Sequence, residues 1–231
     1  MARTPRSILH HDPAGHPSLP DRRQRRSSEI RERLFRAALD VFAQRGFAES
    51  TVEDITEAAD VGKGTFFNYF PSKDHILLAF GEMQIGKLQA AVESARQSNE
   101  PMPVFLRSLR CSMTEEPARN PAIVRALLQA HLSSAPVREA MAKNHTRAQA
   151  LLAQLIQLGQ DRGEIRRDLP AGQLAYVFRQ TVFGTLLLWS LFGDATLPER
   201  IDTAFQVLWT GLAPRPEVPI PSAGSSSTSG E

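Results

Sequence analysis

Thr51-Val52-Glu53-Asp54-Ile55-Thr56-Glu57-Ala58-Ala59-Asp60-Val61-Gly62-Lys63-Gly64-Thr65-Phe66-Phe67-Asn68-Tyr69-Phe70-Pro71-Ser72-Lys73 is the stretch that decides the fold. It reads as two short helices joined by a tight turn. Thr51 with Asp54 three residues on makes a capping box, Asp standing where Glu is usual. Glu53 and Asp54 place negative charge at the positive end of the helix dipole. This helix runs to about Ala59. Asp60-Val61-Gly62 breaks it, and Gly62 is expected to provide the sharp turn. A very short helix follows from Lys63 to about Tyr69. Pro71 ends it, because proline disfavours helix in the residue before it. Ser72 is expected to cap a longer helix that runs past Phe80 and Leu88 towards Ser98.

Upstream, Ile30, Leu34, Ala37, Ala38, Val41 and Phe42 recur at helical spacing. The pattern predicts a helix over about 28–45, with Ser27 or Ser28 as N-cap. Gly46 is placed to close it in a left-handed conformation, with Phe47 as the apolar contact. Three helices thus surround a small core, to which Phe42, Phe66 and Phe70 are assigned. The tight turn between the second and third makes a helix-turn-helix, a unit whose second element enters the major groove of DNA. Ahead of it lies Arg22-Arg23-Gln24-Arg25-Arg26. It reads either as a solvated charge run or as a basic arm that tracks phosphates or the minor groove. Residues 1–21 carry Pro5, Pro13, Pro17 and Pro20 and no apolar period, so they are expected to be disordered.

The remainder reads as helix throughout, with no alternating strand pattern. Pro101 opens a stripe of Phe105, Leu106, Leu109 and Met113, and Pro117 and Pro121 punctuate. Ile123, Leu127, Leu128 and Leu132 follow. Pro136 begins a longer helix that closes at Gly163. Val182 to Phe192 is oily but short of the about 20 residues that span a bilayer, so it is expected to be a buried helix. Thr196 with Glu199 makes a capping box for a last helix bearing Ile201, Phe205, Leu208, Trp209 and Leu212. The fold class is therefore all-α. Residues 1–26 are expected to be a disordered basic arm, 27–74 the helix-turn-helix domain, 75–213 a helical ligand-sensing and dimerisation domain, and 214–231 a disordered tail.

The stretch from Thr51 to Lys73 resembles the TetR family of bacterial regulators. The shared features are an alanine-rich second helix, then Val61, Lys63-Gly64-Thr65, aromatics, the Tyr69-Phe70 pair and the Ser72-Lys73 start of helix four. Two positions depart from the pattern: Gly62 replaces the usual serine, and Phe67 replaces a tyrosine that would offer a hydroxyl to phosphate. The resemblance implies that Lys63 faces DNA, that Gly64 allows close backbone approach, and that Lys73 meets the phosphate backbone. Thr65 is expected at a thymine methyl or a phosphate, Asn68 at a base, and Tyr69 at a phosphate. Thr51 stands at a helix N-terminus, as anion contact or as cap only. Arg25 and Arg26 complete the expected DNA-binding set.

The helices Leu174–Phe192 and Leu197–Leu212 are too apolar for an exposed pair, and the resemblance implies a four-helix homodimer interface there. Val182, Leu186, Trp189, Phe205, Leu208 and Trp209 are its expected residues. A twofold dimer predicts a near-palindromic, double-stranded operator with heads about one DNA turn apart. Phe105, Leu109, Met113 and Leu127 are candidate walls of a cavity for an unknown small-molecule effector, together with His131, Met141, His145, Tyr176 and Phe183. Ligand-relieved repression is the mode that the resemblance implies.

Composition narrows the alternatives. In 231 residues the net charge is only +2, so a DNA surface must come from local placement of cations. The single cysteine, Cys111, excludes an intrachain disulfide, fits a reducing cytoplasm, and is expected in core packing. No metal-ligand spacing, nucleophile elbow, phosphate loop or dinucleotide fingerprint occurs, so neither enzyme nor cofactor is expected. No membrane segment is expected either. A ligand-independent architectural DNA binder and a helical small-molecule carrier remain as rival readings.

Overall fold

The computed structural model describes residues 22–193 and 196–214; the expected disorder of 1–21 and of 215–231 lies outside them. Among the described residues there are nine helices and no strand. They are α1 (Arg22–Arg45), α2 (Val52–Ala58), α3 (Lys63–Tyr69), α4 (Lys73–Gln97), α5 (Met102–Ala118), α6 (Pro121–Ser133), α7 (Ala135–Asp161), α8 (Ala171–Phe192) and α9 (Leu197–Leu212).

The turn chemistry acts largely as the sequence predicts. Gly46 takes φ +81°, and its N–H donates to the Phe42 carbonyl at 2.9 Å. Phe47 then packs edge-on against Phe42 at 5.2 Å. The Thr51–Asp54 capping box forms in both directions, at 2.9 and 3.1 Å. Three local expectations need correction. The left-handed residue after α2 is Asp60, at φ +50°, whose short polar side chain tolerates that region. Gly62 is extended and serves as the N-cap of α3 without a side-chain bond. Ser72 occupies its N-cap position, but its hydroxyl meets His75 Nδ1 at 2.9 Å instead of a backbone N–H.

Helix α1 begins at Arg22, so Ser27 and Ser28 lie inside it and Arg22–Arg26 is not a disordered arm. Arginine is a good helix former, and nothing between Arg22 and Glu29 breaks the helix. Pro117 likewise sits within α5. Proline leaves the carbonyl four residues earlier without its helical donor. Here Gln84 Nε2 of α4 donates to that carbonyl, Met113 O, at 3.0 Å.

Two large cores form. One is built from α4, α5, α7, α8 and α9 and includes Leu88, Val92, Phe105, Leu106, Leu155 and Phe178. The other belongs to the head, with Leu34, Phe42, Ile55, Phe66, Phe70 and Ile76. The head core is not self-contained. Ile123, Ala126 and Ala130 of α6 and Val137 of α7 complete it, and Gln129 Oε1 accepts from the Phe47 N–H at 3.0 Å. Helices α6 and α7 thus supply part of the head's own hydrophobic closure.

Helix α8 has 22 residues and is, by length and composition, long and apolar enough to cross a membrane. Leu174, Ala175, Phe178 and Trp189 are buried, whereas Phe183, Leu188, Leu191 and Phe192 are exposed. The expected burial of Val182–Phe192 therefore holds for one face only. Cys111, expected in the core, is exposed on α5.

Candidate functional site

The outward face of α3 is set by what anchors its inward face. Phe66 and Phe70 are 0% and 2% exposed, packed 5.9 Å apart by ring centroids, and they wedge the short helix onto the head. Four residues apart on a helix share a face. Lys63, Gly64, Phe67 and Asn68 therefore point to solvent, with Thr65 and Tyr69 half-buried at the flanks. Phe67 is 49% exposed, a large apolar ring on a polar face.

Gly64 is the informative position. Its φ is not positive, and a Cβ built there would meet nothing within 4 Å. The fold itself therefore does not require glycine. Glycine in a helix is disfavoured by roughly 1 kcal/mol relative to alanine. A glycine kept at that disadvantage on a solvent-facing helix suits close approach of another backbone.

The cations divide into two groups. Lys63 Nζ pairs with Glu53 on α2; both side chains are exposed, and the ammonium holds the Glu53 carboxyl below its ordinary value. An exposed pair of this kind contributes little and exchanges readily for another anion. Lys73 differs. Its ammonium donates to the carbonyls of Phe47, Ala48 and Ser50 at 2.8, 2.9 and 2.8 Å, and lies 4.8 Å above the Phe47 ring. An ammonium has three N–H donors, so Lys73 is committed to the α1–α2 turn and not held out toward phosphate. Thr51 is likewise a cap. Its hydroxyl donates to Asp54 Oδ2 at 2.8 Å, and hydrogen bonds from Thr51 keep the Asp54 carboxyl below its ordinary value.

The basic run becomes a surface because it is helical. At 100° per residue, Arg22, Arg25, Arg26, Arg33 and Arg36 fall within one third of the α1 circumference. Arg33 Nη2 reaches the Asp60 carbonyl at 3.5 Å, beside the turn into α3. Arg25 and Arg26 thus belong to a stripe that leads to the α3 face. Arg33 and Arg36 were not among the expected DNA residues; their spacing from Arg22 and Arg26 was the available signal.

The expected ligand wall does not assemble. Phe105 and Leu109 are core residues with Met113 against them, while Leu127 packs against the head core. His131 is half-buried on α6, with Nδ1 buried and without a partner. Met141 and His145 are exposed on α7, and Tyr176 and Phe183 are exposed on α8. Periodicity could not see that these stripes face different neighbours. One subset does meet: Arg179 contacts both ring nitrogens of His145, at 2.5 and 2.8 Å, and lies over Tyr176. Burial and the Arg179 charge hold the His145 imidazole below its ordinary value.

The expected dimer residues are buried or partly buried within the single chain. Trp189 and Phe205 are buried, and Val182, Leu186, Leu208 and Trp209 pack against the chain's own cores. The exposed apolar face of α8 is a different one, made by Tyr176, Val177, Phe183, Leu188 and Leu191, and Val207 of α9 is exposed as well. Between α8 and α9 lies an open groove of about 450 Å³ lined by Thr185, Leu188, Glu199, Arg200, Thr203 and Ala204. A void of about 10 Å³ shares Thr185 and Ala204 with it and reaches Arg110. Arg110 is a buried charge on the apolar stripe of α5, four positions after Leu106, and it pairs with Asp202 of α9. Among the described residues no group of three or more His, Cys, Asp or Glu side chains could hold a metal ion.

Comparison with known proteins agrees with this arrangement. The family described as bacterial regulatory proteins, tetR family, matches residues 34–80. The tetracyclin repressor-like C-terminal domain matches residues 121–205. The regulator TcmR of Streptomyces glaucescens is 42% identical over 62 residues, covering 27% of each chain. The repressor DhaR of Mycobacterium sp. (strain GP1) is 28% identical over 194 residues, covering 81% of this chain and 94% of its own. The crystal structure of Thermus thermophilus FadR, a repressor in complex with lauroyl-CoA, aligns with a TM-score of 0.57 at 29% identity, covering 83% of this chain and 98% of its own. The chain belongs to the TetR family of bacterial transcriptional regulators.

Proposed function

We propose that this regulator is a cytoplasmic homodimer that binds a near-palindromic operator through α3 and the α1 arginine stripe, and that a small molecule bound among its C-terminal helices releases it. The observation that carries the DNA reading is the outward face of α3: Lys63, an open Gly64 and Asn68 on a helix anchored by Phe66 and Phe70. Lys63 would exchange Glu53 for a phosphate or a guanine edge, and Thr65, Asn68 and Tyr69 would complete the contact. Thr51 and Lys73 serve the same surface by fixing the α1–α2 turn. Residues 22–74 form the DNA-binding part and 75–213 the sensing and pairing part.

The exposed apolar side of α8 supports self-pairing, since a patch of this kind marks a partner surface. Repression is supported by DhaR and FadR, both named repressors, and ligand control by the lauroyl-CoA bound to the latter. Release would be a population shift: DNA selects the dimer whose heads match operator spacing, and ligand selects another. Helix α4 spans both ends, with Lys73 on the α1–α2 turn and Leu88 and Val92 in the sensor core. A coupling of about 1–3 kcal/mol gives a 5- to 150-fold change in affinity.

Selection of duplexes bound by the purified protein from a random pool tests the reading. The expected winner is a near-palindrome, and compounds are then screened for its release. Equal affinity for the selected duplex and a scrambled one would refute sequence-specific regulation and favour the architectural binder.

A further inference from the structure

We propose that Phe67 is a specificity-determining residue that reads a thymine through its C5 methyl group, from the face of α3 that enters the major groove. This rests on the reading that α3 enters DNA, and it assigns one base of each operator half to one side chain.

Single exposed hydrophobic residues are common on protein surfaces, so exposure alone marks nothing. Position marks this one. Among the described residues of the head, 22–74, Phe67 is the only large hydrophobic side chain that stands exposed. It follows Lys63 by four residues and Gly64 by three, so the three share one side of the helix. Its ring meets that of Phe66 edge to face, with centroids 5.4 Å apart and planes at 88°. Phe66 is itself fully buried, so the Phe67 ring rests on a fixed support. Gly64 presents bare backbone beside the ring, with nothing within 4 Å of where a Cβ would stand. A base edge brought to α3 therefore reaches the ring without obstruction from that side.

What the ring can read follows from its chemistry. A phenyl group offers no hydrogen bond, so it gives a phosphate no contact of the kind that holds the backbone. Against guanine it would cover the N7 and O6 acceptors, against adenine the N7 acceptor and N6 donor, and against cytosine the N4 donor. Each would lose water and gain no partner. The C5 methyl of thymine is the apolar group that a base edge offers in the major groove, and phenylalanine is among the side chains that contact it. The same ring thus attracts thymine and penalises the other three bases, and specificity arises from both. Lys63 and Asn68, exposed on the same face, carry the hydrogen-bonding chemistry for the neighbouring polar edges.

Deoxyuridine tests this, because it pairs as thymine does and lacks only the C5 methyl. The full chain is titrated by fluorescence anisotropy on the duplex that it selects from a random pool, with each thymine of a half-site replaced in turn by deoxyuridine. At one position the replacement should weaken binding about fourfold, the worth of one buried methyl, and about fifteenfold when made in both half-sites. Phe67→Ala and Phe67→Ser should each bind the thymine and deoxyuridine duplexes equally at that position; either variant decides the matter should the other fail to fold. Phe67→Leu, which keeps an apolar side chain, should keep most of the difference. Cytosine and 5-methylcytosine at the same position, each paired with guanine, make a second comparison. The methylated base should bind the parent about fourfold more tightly and Phe67→Ala no more tightly. All three variants leave the Phe66–Phe70 contact in place, and thermal unfolding checks that they are folded.

A parent protein indifferent to every thymine methyl, or a methyl preference retained in full by Phe67→Ala or Phe67→Ser, overturns the proposal and leaves sequence-specific binding by α3 standing. Equal affinity of the parent for the selected and scrambled duplexes removes the DNA reading itself, and the role of Phe67 with it.

Discussion

Gly64→Ala separates folding from DNA binding at a single methyl group. Glycine early in a helix loses more backbone entropy than alanine, and a Cβ at this position meets nothing within 4 Å. The backbone there is not in the left-handed region. The substitution should therefore stabilise the free protein by about 0.5–1 kcal/mol. For a chain of this size that raises Tm by about 1–4 °C. On DNA the methyl would stand where the α3 backbone meets the duplex. Disrupting a well-made contact there costs on the order of 1–3 kcal/mol, or about 5- to 150-fold in affinity. Thermal unfolding of the free protein and fluorescence anisotropy on the selected operator, both in one buffer, read the two effects. The two signs should oppose: higher Tm, weaker binding. A variant that is more stable and binds the operator as tightly as the parent would refute the reasoning, because Gly64 would then have no external partner to accommodate.

Lys73→Met should lower stability by about 2–3 kcal/mol, since three turn carbonyls lose one charged donor. Thermal unfolding checks this; unchanged Tm with weakened DNA binding would return Lys73 to the phosphate backbone. Replacing Arg22, Arg25 and Arg26 together with glutamine should weaken binding to specific and random duplexes alike. It should also flatten the salt dependence by about 0.9 in log–log slope for each phosphate that is no longer neutralised. An altered sequence preference at unchanged slope would contradict the stripe's role. Phe183→Glu places a charge in the middle of the exposed apolar side of α8; on the proposed self-pairing through that side it should leave the protein monomeric, read by light scattering after size exclusion against the parent. A dimer unaffected by the change would move the interface elsewhere.

The parts legible in the sequence were those governed by local chemistry. The bounds of α3, Lys63–Tyr69, follow from a turn before it and Pro71 after it, and both act within a few residues. The capping boxes at Thr51 and Thr196 set their helix starts for the same reason. What failed depended on phase and on partners distant in sequence. Helix α8 is apolar nearly all round, so its pattern carries no phase; of the residues expected at a dimer interface, Trp189 is buried and Val182 and Leu186 are partly buried against the chain's own cores. The expected ligand residues lie on stripes of α5, α6, α7 and α8 that face different neighbours. Lys73, expected at the phosphate backbone, gives its three donors to the α1–α2 turn in the free chain, a commitment made by residues more than twenty positions away in sequence. Arg22–Arg26 has no apolar period to mark it as helix, yet arginine propagates helix well and the run opens α1.

The completion of the head core by α6 bears on how a signal would travel. The α1–α2 turn is gripped from two sides, by Lys73 at the start of α4 and by Gln129 of α6 on the Phe47 N–H. Ile123, Ala126 and Ala130 of α6 pack directly into the head. Close-packed interiors do not deform continuously, so a shift of these helices is passed on to the head and is not absorbed within it. The capping box, the Phe66–Phe70 wedge and the Arg45–Asp54 ion pair meanwhile tie α1, α2 and α3 to one another. Ligand would therefore reposition the head as a unit, arginine stripe and α3 together, leaving each reading surface intact. On the proposed homodimer, such repositioning would change the distance and angle between two heads without altering either reading surface.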